Sequence, residues 1–111
     1  MIEQIKKILE ENDFILESNR SIDATVFFEH KDENNLDKYK YKTYKHTKIK
    51  NVYCDLKDNK CRFCFGFNIK DTNSGINSNT GWLEIKNIEN FISVMQCVVN
   101  ICNNLGEILG E

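Results

Sequence analysis

The chain has 111 residues, of which 41% are hydrophobic and 29% charged, and its formal net charge at pH 7 is −2. This composition excludes a disordered chain, and no apolar run approaches the ~20 residues that span a bilayer. We therefore expect a single domain over residues 1–111, with no membrane contact. Because the N-terminal sequence lacks the apolar segment of a signal peptide, we expect a cytoplasmic protein whose five cysteines are reduced.

The first predicted element is a helix over residues 2–11. Its apolar residues recur on one face at helical spacing: Ile2, Ile5, Ile8 and Leu9. Residues 14–16 are apolar and predict a short strand. The stretch 22–30 alternates with a period of two and predicts a longer strand, followed by a polar loop over 31–37.

The segment 38–50 alternates basic and aromatic residues, which again favours a strand. It contains six lysines, three tyrosines and one histidine, and it contains no acidic residue. The alternation places tyrosines on one face of the strand and lysines on the other, until Thr43 shifts the phase.

Residues 52–69 predict a β-hairpin around the two-residue turn Asp58-Asn59. This turn sets three pairs of opposite residues: Leu56 with Cys61, Cys54 with Phe63, and Val52 with Phe65. One face of the hairpin then collects the aliphatic and phenylalanine side chains, and a slip of one residue would expose them all to water. The other face collects polar and charged residues, among them Asp55, Lys57 and Arg62.

The last third of the chain predicts a polar loop over 71–80, a strand over Gly81–Lys86 and a long helix over 88–105. Asn87 is the predicted N-cap of this helix, and Gly106 is expected to end or loosen it. The complete pattern predicts an α+β fold. We expect an antiparallel sheet of four or five strands, with the N-terminal helix and the long C-terminal helix packed on one face.

Two sets of residues resemble parts of chemical sites. Cys54, Cys61 and Cys64 resemble part of a zinc site, but the single CxxC pair falls inside a strand, where positions three apart point to opposite faces. His30 and His46 could serve as a base for a cysteine nucleophile, but nothing in the sequence orients them. We therefore expect a non-enzymatic protein with no metal and no cofactor.

Charge is sorted along the chain. Residues 1–37 carry ten acids and four bases, residues 38–70 carry two acids and ten bases, and residues 71–111 carry five acids and one base. The net charges are therefore −6, +8 and −4. Such asymmetry indicates a surface that meets a partner of opposite charge.

The basic segment supplies the candidate contact residues. They are Lys38, Tyr39, Lys40, Tyr41, Lys42, Tyr44, Lys45, His46 and Lys48. Three interpretations fit: an edge strand kept soluble by lysine, a protein-binding surface, and a nucleic-acid surface in which lysines neutralise phosphates and tyrosines stack on bases. The scarcity of arginine and the acidic pI weigh against nucleic acid.

The leading functional hypothesis is a small binding protein that acts by stoichiometric protein–protein interaction. The chain has no proline, and it has 15 Asn, 13 Ile and 13 Lys, a composition typical of an AT-rich genome. Small acidic α+β proteins of such genomes are often phage or mobile-element accessory proteins, so the hypothesis includes an inhibitor of the anti-defence or immunity type. Such an inhibitor would occlude a charged surface of a larger protein, for example a nuclease or a defence complex.

Three further expectations stay open at this point. The first is a nucleic-acid-binding module that uses strand 38–50. The second is a small-molecule site under the 71–80 loop, near Trp82. The third is a homodimer, because an unpaired edge strand can pair with a second copy.

Overall fold

The computed structural model describes residues 1–16, 39–43 and 51–110; at residues 16, 39–43 and 51 it describes the backbone. The predicted strand 22–30 and loop 31–37 lie outside these residues. Helix α1 spans Ile2–Glu11, as predicted, and buries Ile5 and Leu9. It ends at Asn12, whose side-chain amide donates to the Ile8 carbonyl oxygen at 2.8 Å.

Six strands and a second helix follow α1 in the described ranges. The elements in chain order are β1 (Ile15–Leu16), β2 (Tyr39–Thr43), β3 (Asn51–Lys57), β4 (Lys60–Asn68), β5 (Gly75–Asn79), β6 (Leu83–Glu84) and α2 (Ile88–Ile108). The predicted α+β fold is confirmed. Four of these strands, β2 to β5, have five or more residues, and the other two have two residues each.

All the described strands belong to one antiparallel sheet with the order β1-β2-β3-β4-β5. Strand β6 pairs with the beginning of β4, at Lys60 and Cys61. Strand β2 therefore lies between β1 and β3. The interpretation of segment 38–50 as an edge strand is wrong for Tyr41 and Lys42, because these two residues are paired on both sides.

The hairpin β3–β4 has the predicted register. Leu56 pairs with Cys61, Cys54 with Phe63 and Val52 with Phe65. Asp58 begins the two-residue turn with φ 54°, a left-handed conformation that Asp tolerates better than most residues. Turn geometry and hydrophobic alternation thus select the same pairing.

The core lies between the two helices and one face of the sheet, here called the inner face. Phe63 is at its centre, with ring centroids 6.4 Å from Phe14 and 6.1 Å from Phe91. The buried apolar residues are Ile5, Leu9, Phe14, Val52, Cys54, Leu56, Cys61, Phe63, Ile85, Phe91, Met95, Val98 and Cys102. Their spacing follows the helix and strand periods, so the core is a direct consequence of the sequence pattern.

Three predictions for the last third need correction. The predicted 71–80 loop contains strand β5, and the predicted strand Gly81–Lys86 shortens to β6. Helix α2 continues through the buried Gly106 to Ile108, and the Leu109 and Gly110 amides extend its i→i−4 hydrogen bonds to the Leu105 and Gly106 carbonyl oxygens. The Lys70 amide donates to the Leu109 carbonyl oxygen at 2.9 Å, and a Cβ on Gly110 would lie 2.8 Å from the Gly106 carbonyl oxygen.

The start of α2 agrees with its prediction. Asn87 is the N-cap, and its side-chain oxygen accepts a hydrogen bond from the Asn90 amide at 2.8 Å. Neither α1 nor α2, the helices of the described ranges, is long and apolar enough to cross a membrane.

Candidate functional site: the outer face of the sheet

The register of β2 separates the two residue types of the basic segment, as the alternation predicted. Lys40 pairs with Asp55 and Lys42 with Tyr53, whereas Tyr39 pairs with Leu56 and Tyr41 with Cys54. Opposite residues in paired strands occupy the same face of a sheet. The lysine positions therefore belong to the face opposite the core, here called the outer face, and the tyrosine positions belong to the inner face.

Five of the nine predicted contact residues fall outside the described residues. They are Lys38, Tyr44, Lys45, His46 and Lys48. The four described positions do not form one basic-aromatic surface, because β2 divides them between two faces. Among the described residues, the aromatic position opposite Lys42 is Tyr53, on β3.

An ion pair joins β3 and β4 on the outer face. Both Nε and Nη2 of Arg62 donate to Oδ2 of Asp55, at 3.0 and 2.8 Å. Asp55 is 0% exposed, and the side chain of Arg62 is 21% exposed. The two residues are direct cross-strand partners, so the hairpin register alone brings them together.

The carboxylate of Asp55 has a second polar neighbour and one unsatisfied oxygen. The thiol of Cys64 lies 3.7 Å from Oδ2, while the buried Oδ1 has no hydrogen-bond partner among the described residues. The buried carboxylate depends strongly on its ion pair with Arg62, since burying an unpaired charge lowers the stability of the fold. Asp55 therefore fixes Arg62 in place.

Arg62 in turn orders an aromatic side chain. Its guanidinium carbon lies 4.5 Å from the centroid of the Trp82 ring, within the range of a cation–π interaction. Trp82 precedes β6, and it is 36% exposed. The single tryptophan of the chain is thus partly exposed to solvent and packs against an ion pair that joins β3 and β4.

We call the exposed surface around this tryptophan the Trp82 patch. Its members share the outer face and lie at the end of the sheet where β4 meets β6: Lys57, Lys60, Arg62, Asn79 and Trp82. Lys60, Asn79 and Trp82 are exposed, and Lys57 and Arg62 are half-buried. The patch combines cations, an amide and an aromatic ring on neighbouring strands.

The described outer face has a positive balance. Its basic positions are Lys40, Lys42, Lys57, Lys60 and Arg62, and its acidic positions are Asp55 and Glu84, which gives 5 − 2 = +3. Both acids stand directly opposite a base: Asp55 pairs with Arg62 and Glu84 with Lys60. Part of the positive charge is therefore compensated within the sheet.

The cysteines divide between the two faces as the strand period predicts. Cys61 is buried in the core, while Cys64 is half-buried on the outer face. Burial raises the pKa of the Cys61 and Cys102 thiols to about 11, and it raises the pKa of Cys54 well above its usual value. Within residues 1–16, 39–43 and 51–110, no group of three or more His, Cys, Asp or Glu side chains could hold a metal ion.

The sequence contains part of the signal for this site. Asp55 and Arg62 are opposite in the predicted hairpin, so their pairing is readable from the turn alone. The position of Trp82 is not readable in this way, because it requires the pairing of β6 with the start of β4 across some twenty intervening residues. The sequence prediction for the contact residues is segment 38–50, and it does not include the arrangement of Asp55, Arg62 and Trp82.

Comparison of the chain with protein-family models, with curated proteins and with solved structures gives no match. The geometry of the outer face therefore carries the functional argument by itself.

Proposed function

We propose that this chain is a non-enzymatic binding protein that acts stoichiometrically, docking the outer face of its sheet on an acidic surface of a larger protein. The observation that carries the proposal is the Trp82 patch, in which a buried carboxylate holds Arg62 against a partly exposed Trp82. Tryptophan, tyrosine and arginine are the residues most enriched at the energetic centres of protein interfaces.

Rigidity supports this function. Arg62 donates two hydrogen bonds to Asp55, and Trp82 packs on the resulting planar group. Neither side chain needs to be ordered when a partner arrives, so little conformational entropy is lost on binding. An ordered aromatic–arginine pair of this kind is a suitable anchor for a protein partner.

Charge gives the chemistry of the partner. The outer face has a net charge of +3 in the described positions, although the chain has a net charge of −2. A complementary acidic surface would raise the association rate and fix the register of docking. The proposed target is a larger protein, such as a nuclease or a defence complex. The chain would inhibit this target by covering its acidic surface.

The experiment is a quantitative capture from a soluble extract of the source cells. Wild type is compared with Trp82→Ala and with Ile101→Ala, which removes an apolar side chain of similar exposure (47%) from helix α2. We expect wild type and the Ile101 variant to retain one protein at a near-equal molar ratio, and the Trp82 variant to lose it. Retention of the same protein by wild type and both variants would overturn the Trp82 patch as the contact.

A charge pair sharpens this result. Lys60→Glu reverses a charge within the Trp82 patch, and Lys70→Glu makes the same change beyond the far end of β4. We expect the first variant to slow association with the captured protein at least tenfold and the second to change it little. Equal effects of the two substitutions would mean that only the overall charge matters.

One observation favours nucleic acid as a second candidate. Lys40 and Lys42 lie at positions of the same face as Tyr53, on the adjacent strand. Binding of a fluorescent single-stranded oligothymidylate should then weaken steeply with salt, with a slope set by the phosphates contacted, and Lys40→Glu with Lys42→Glu should flatten the slope. A salt-independent signal would exclude this candidate.

A further inference from the structure

Strand β5 has the composition of an interface strand. It is the last strand in the order of the described sheet, and four of its five residues are exposed, with Ile76 half-buried. Its sequence, GINSN, contains no charge and no proline, and the neutral stretch extends from Thr72 to Leu83. Proteins usually protect a free sheet edge with lysine, proline or a bulge, and β5 has neither of the first two.

The backbone groups on the outer edge of β5 follow from the pairing with β4. The Ile69 amide donates to the Ser74 carbonyl oxygen at 2.9 Å, and the Thr80 amide donates to the Phe63 carbonyl oxygen at 3.0 Å. In an antiparallel pair, residues alternate between those that exchange hydrogen bonds with the partner strand and those that point away. Gly75, Asn77 and Asn79 therefore direct their N–H and C=O groups away from β4.

We propose that the β5 edge pairs with the β5 edge of a second copy of this chain, antiparallel about a twofold axis at Asn77. Each Gly75 then faces Asn79 of the other copy, and the two Asn77 residues face each other. The six outward residues of the two copies supply six donors and six acceptors, which form six hydrogen bonds. The two sheets become one continuous sheet.

The β5 edge is complementary to itself, which favours a second copy of this chain as its pairing partner. A twofold interface requires that the same surface complement itself, and an antiparallel strand edge meets this requirement in its backbone. The residues at the facing positions are glycine, which has no side chain, and asparagine. The side-chain amide of asparagine both donates and accepts hydrogen bonds. A partner recognised by charge would gain nothing from an edge that has none.

Apolar surface beside the edge adds to the pairing. Phe65, Phe67 and Ile76 occupy the inner face of β4 and β5 and are half-buried, unlike Phe63 at the centre of the core. A second sheet joined at β5 would extend the inner face past these residues and cover part of them. Asn79 belongs both to this edge and to the Trp82 patch, but the pairing uses its backbone groups and needs neither Arg62 nor Trp82, so its tests do not depend on the proposed function.

The first test is the wild-type protein alone, over a range of concentration. Sedimentation should give a mass of twice 13.0 kDa at high concentration. Amide exchange at Gly75, Asn77 and Asn79 should slow at least tenfold between the dilute and the concentrated sample, while exchange at Ser78, which faces β4, should not change. A chain that stays monomeric, or these three amides unprotected in a dimer, would overturn the proposal.

Matched substitutions locate the interface. Asn77→Lys places two like charges together at the twofold axis, and Asn73→Lys makes the same charge change in the exposed turn before β5. We expect the dimer dissociation constant to rise at least tenfold in the first variant and less than threefold in the second. Asn77→Pro removes only an outward donor, so it should also abolish the dimer and keep the β4–β5 pairing. A dimer that survives both the Asn77→Lys and the Asn77→Pro substitution would contradict the proposed edge.

Discussion

The two faces of strand β4 have different roles: one packs in the core, and the other supports the surface that we propose binds a partner. On the inner face, Cys61 and Phe63 are almost completely buried among the residues of α1, α2 and the other strands. On the outer face, the residue between them, Arg62, pairs with Asp55 and supports an exposed Trp82. A spacing of one residue separates the element that specifies the fold from the element that we propose binds a partner.

The two faces differ in how much they contribute to the stability of the fold. The inner face contributes to stability through apolar burial, at about 25 cal/mol per Å² removed from water. The outer face contains a largely buried ion pair, whose net contribution to stability is small because desolvation offsets the attraction. Such a pair is explained better by the position it gives to Trp82 than by the stability it supplies.

Breaking the inner face should have the largest effect. Phe63→Ala removes a ring that contacts Phe14 and Phe91 and leaves a cavity in the core. We expect the free energy of unfolding to fall by about 3–5 kcal/mol. Urea denaturation followed by circular dichroism measures this loss, with the exposed Lys60→Ala as control; a loss below about 1 kcal/mol would show that the core is not centred on Phe63.

Breaking the outer ion pair should come next. Arg62→Met leaves the carboxylate of Asp55 buried without its partner, at a cost of about 3 kcal/mol. Because the loss is that of an orphaned charge, the double variant Asp55→Leu with Arg62→Met should recover most of it. A double variant no more stable than the single one would show that the pair itself contributes the stability.

Alkaline pH should weaken the inner face. The pKa of the Cys61 and Cys102 thiols is about 11 in the folded protein, above the ordinary value of 9.0. The unfolded state releases these protons first, so stability is complete below pH 9 and falls as the pH rises from 9 to 11. We expect each of these two thiols to cost about 2 kcal/mol across this interval in thermal melts, so that Cys61→Ala or Cys102→Ala loses less than wild type relative to its own value at pH 8.

Removing the aromatic ring of the outer face should affect stability least. Trp82→Ala takes away a half-exposed side chain, so the free energy of unfolding should fall by about 1 kcal/mol or less. Its effect on binding should be larger, about 30-fold or more in Kd for the captured protein, as for the central residues of other interfaces. Titration calorimetry and urea denaturation on one sample separate the two quantities.

Local pattern and turn chemistry were sufficient for part of the fold. Helix α1, the β3–β4 register and the Asn87 cap depend on residues close in sequence, and each was predicted correctly. Strand β5 was missed because GINSN lacks the β-branched or aromatic alternation of a strand, and it pairs only because β4 offers it a complete edge. Gly106 was expected to end or loosen α2, but it is retained in the helix, where its carbonyl oxygen accepts a hydrogen bond from the Gly110 amide.

The candidate site divides in the same way. The Asp55–Arg62 pair follows from the hairpin, whereas its contact with Trp82 depends on tertiary pairing through β6. The basic segment was predicted as the contact because its lysines lie close together in the sequence. Among the described residues, only its Lys40 and Lys42 fall at outer-face positions.

The most direct test of the account uses the single tryptophan of the chain as a probe. Protein labelled with 5-fluorotryptophan gives one ¹⁹F resonance, from Trp82, which is recorded before and after addition of an equimolar amount of the captured protein. If the outer face is the contact, the resonance shifts or broadens to a new position and saturates at a ratio of one to one. An unchanged resonance in the presence of a bound partner would show that binding occurs elsewhere, and it would contradict the assignment of function to the outer face.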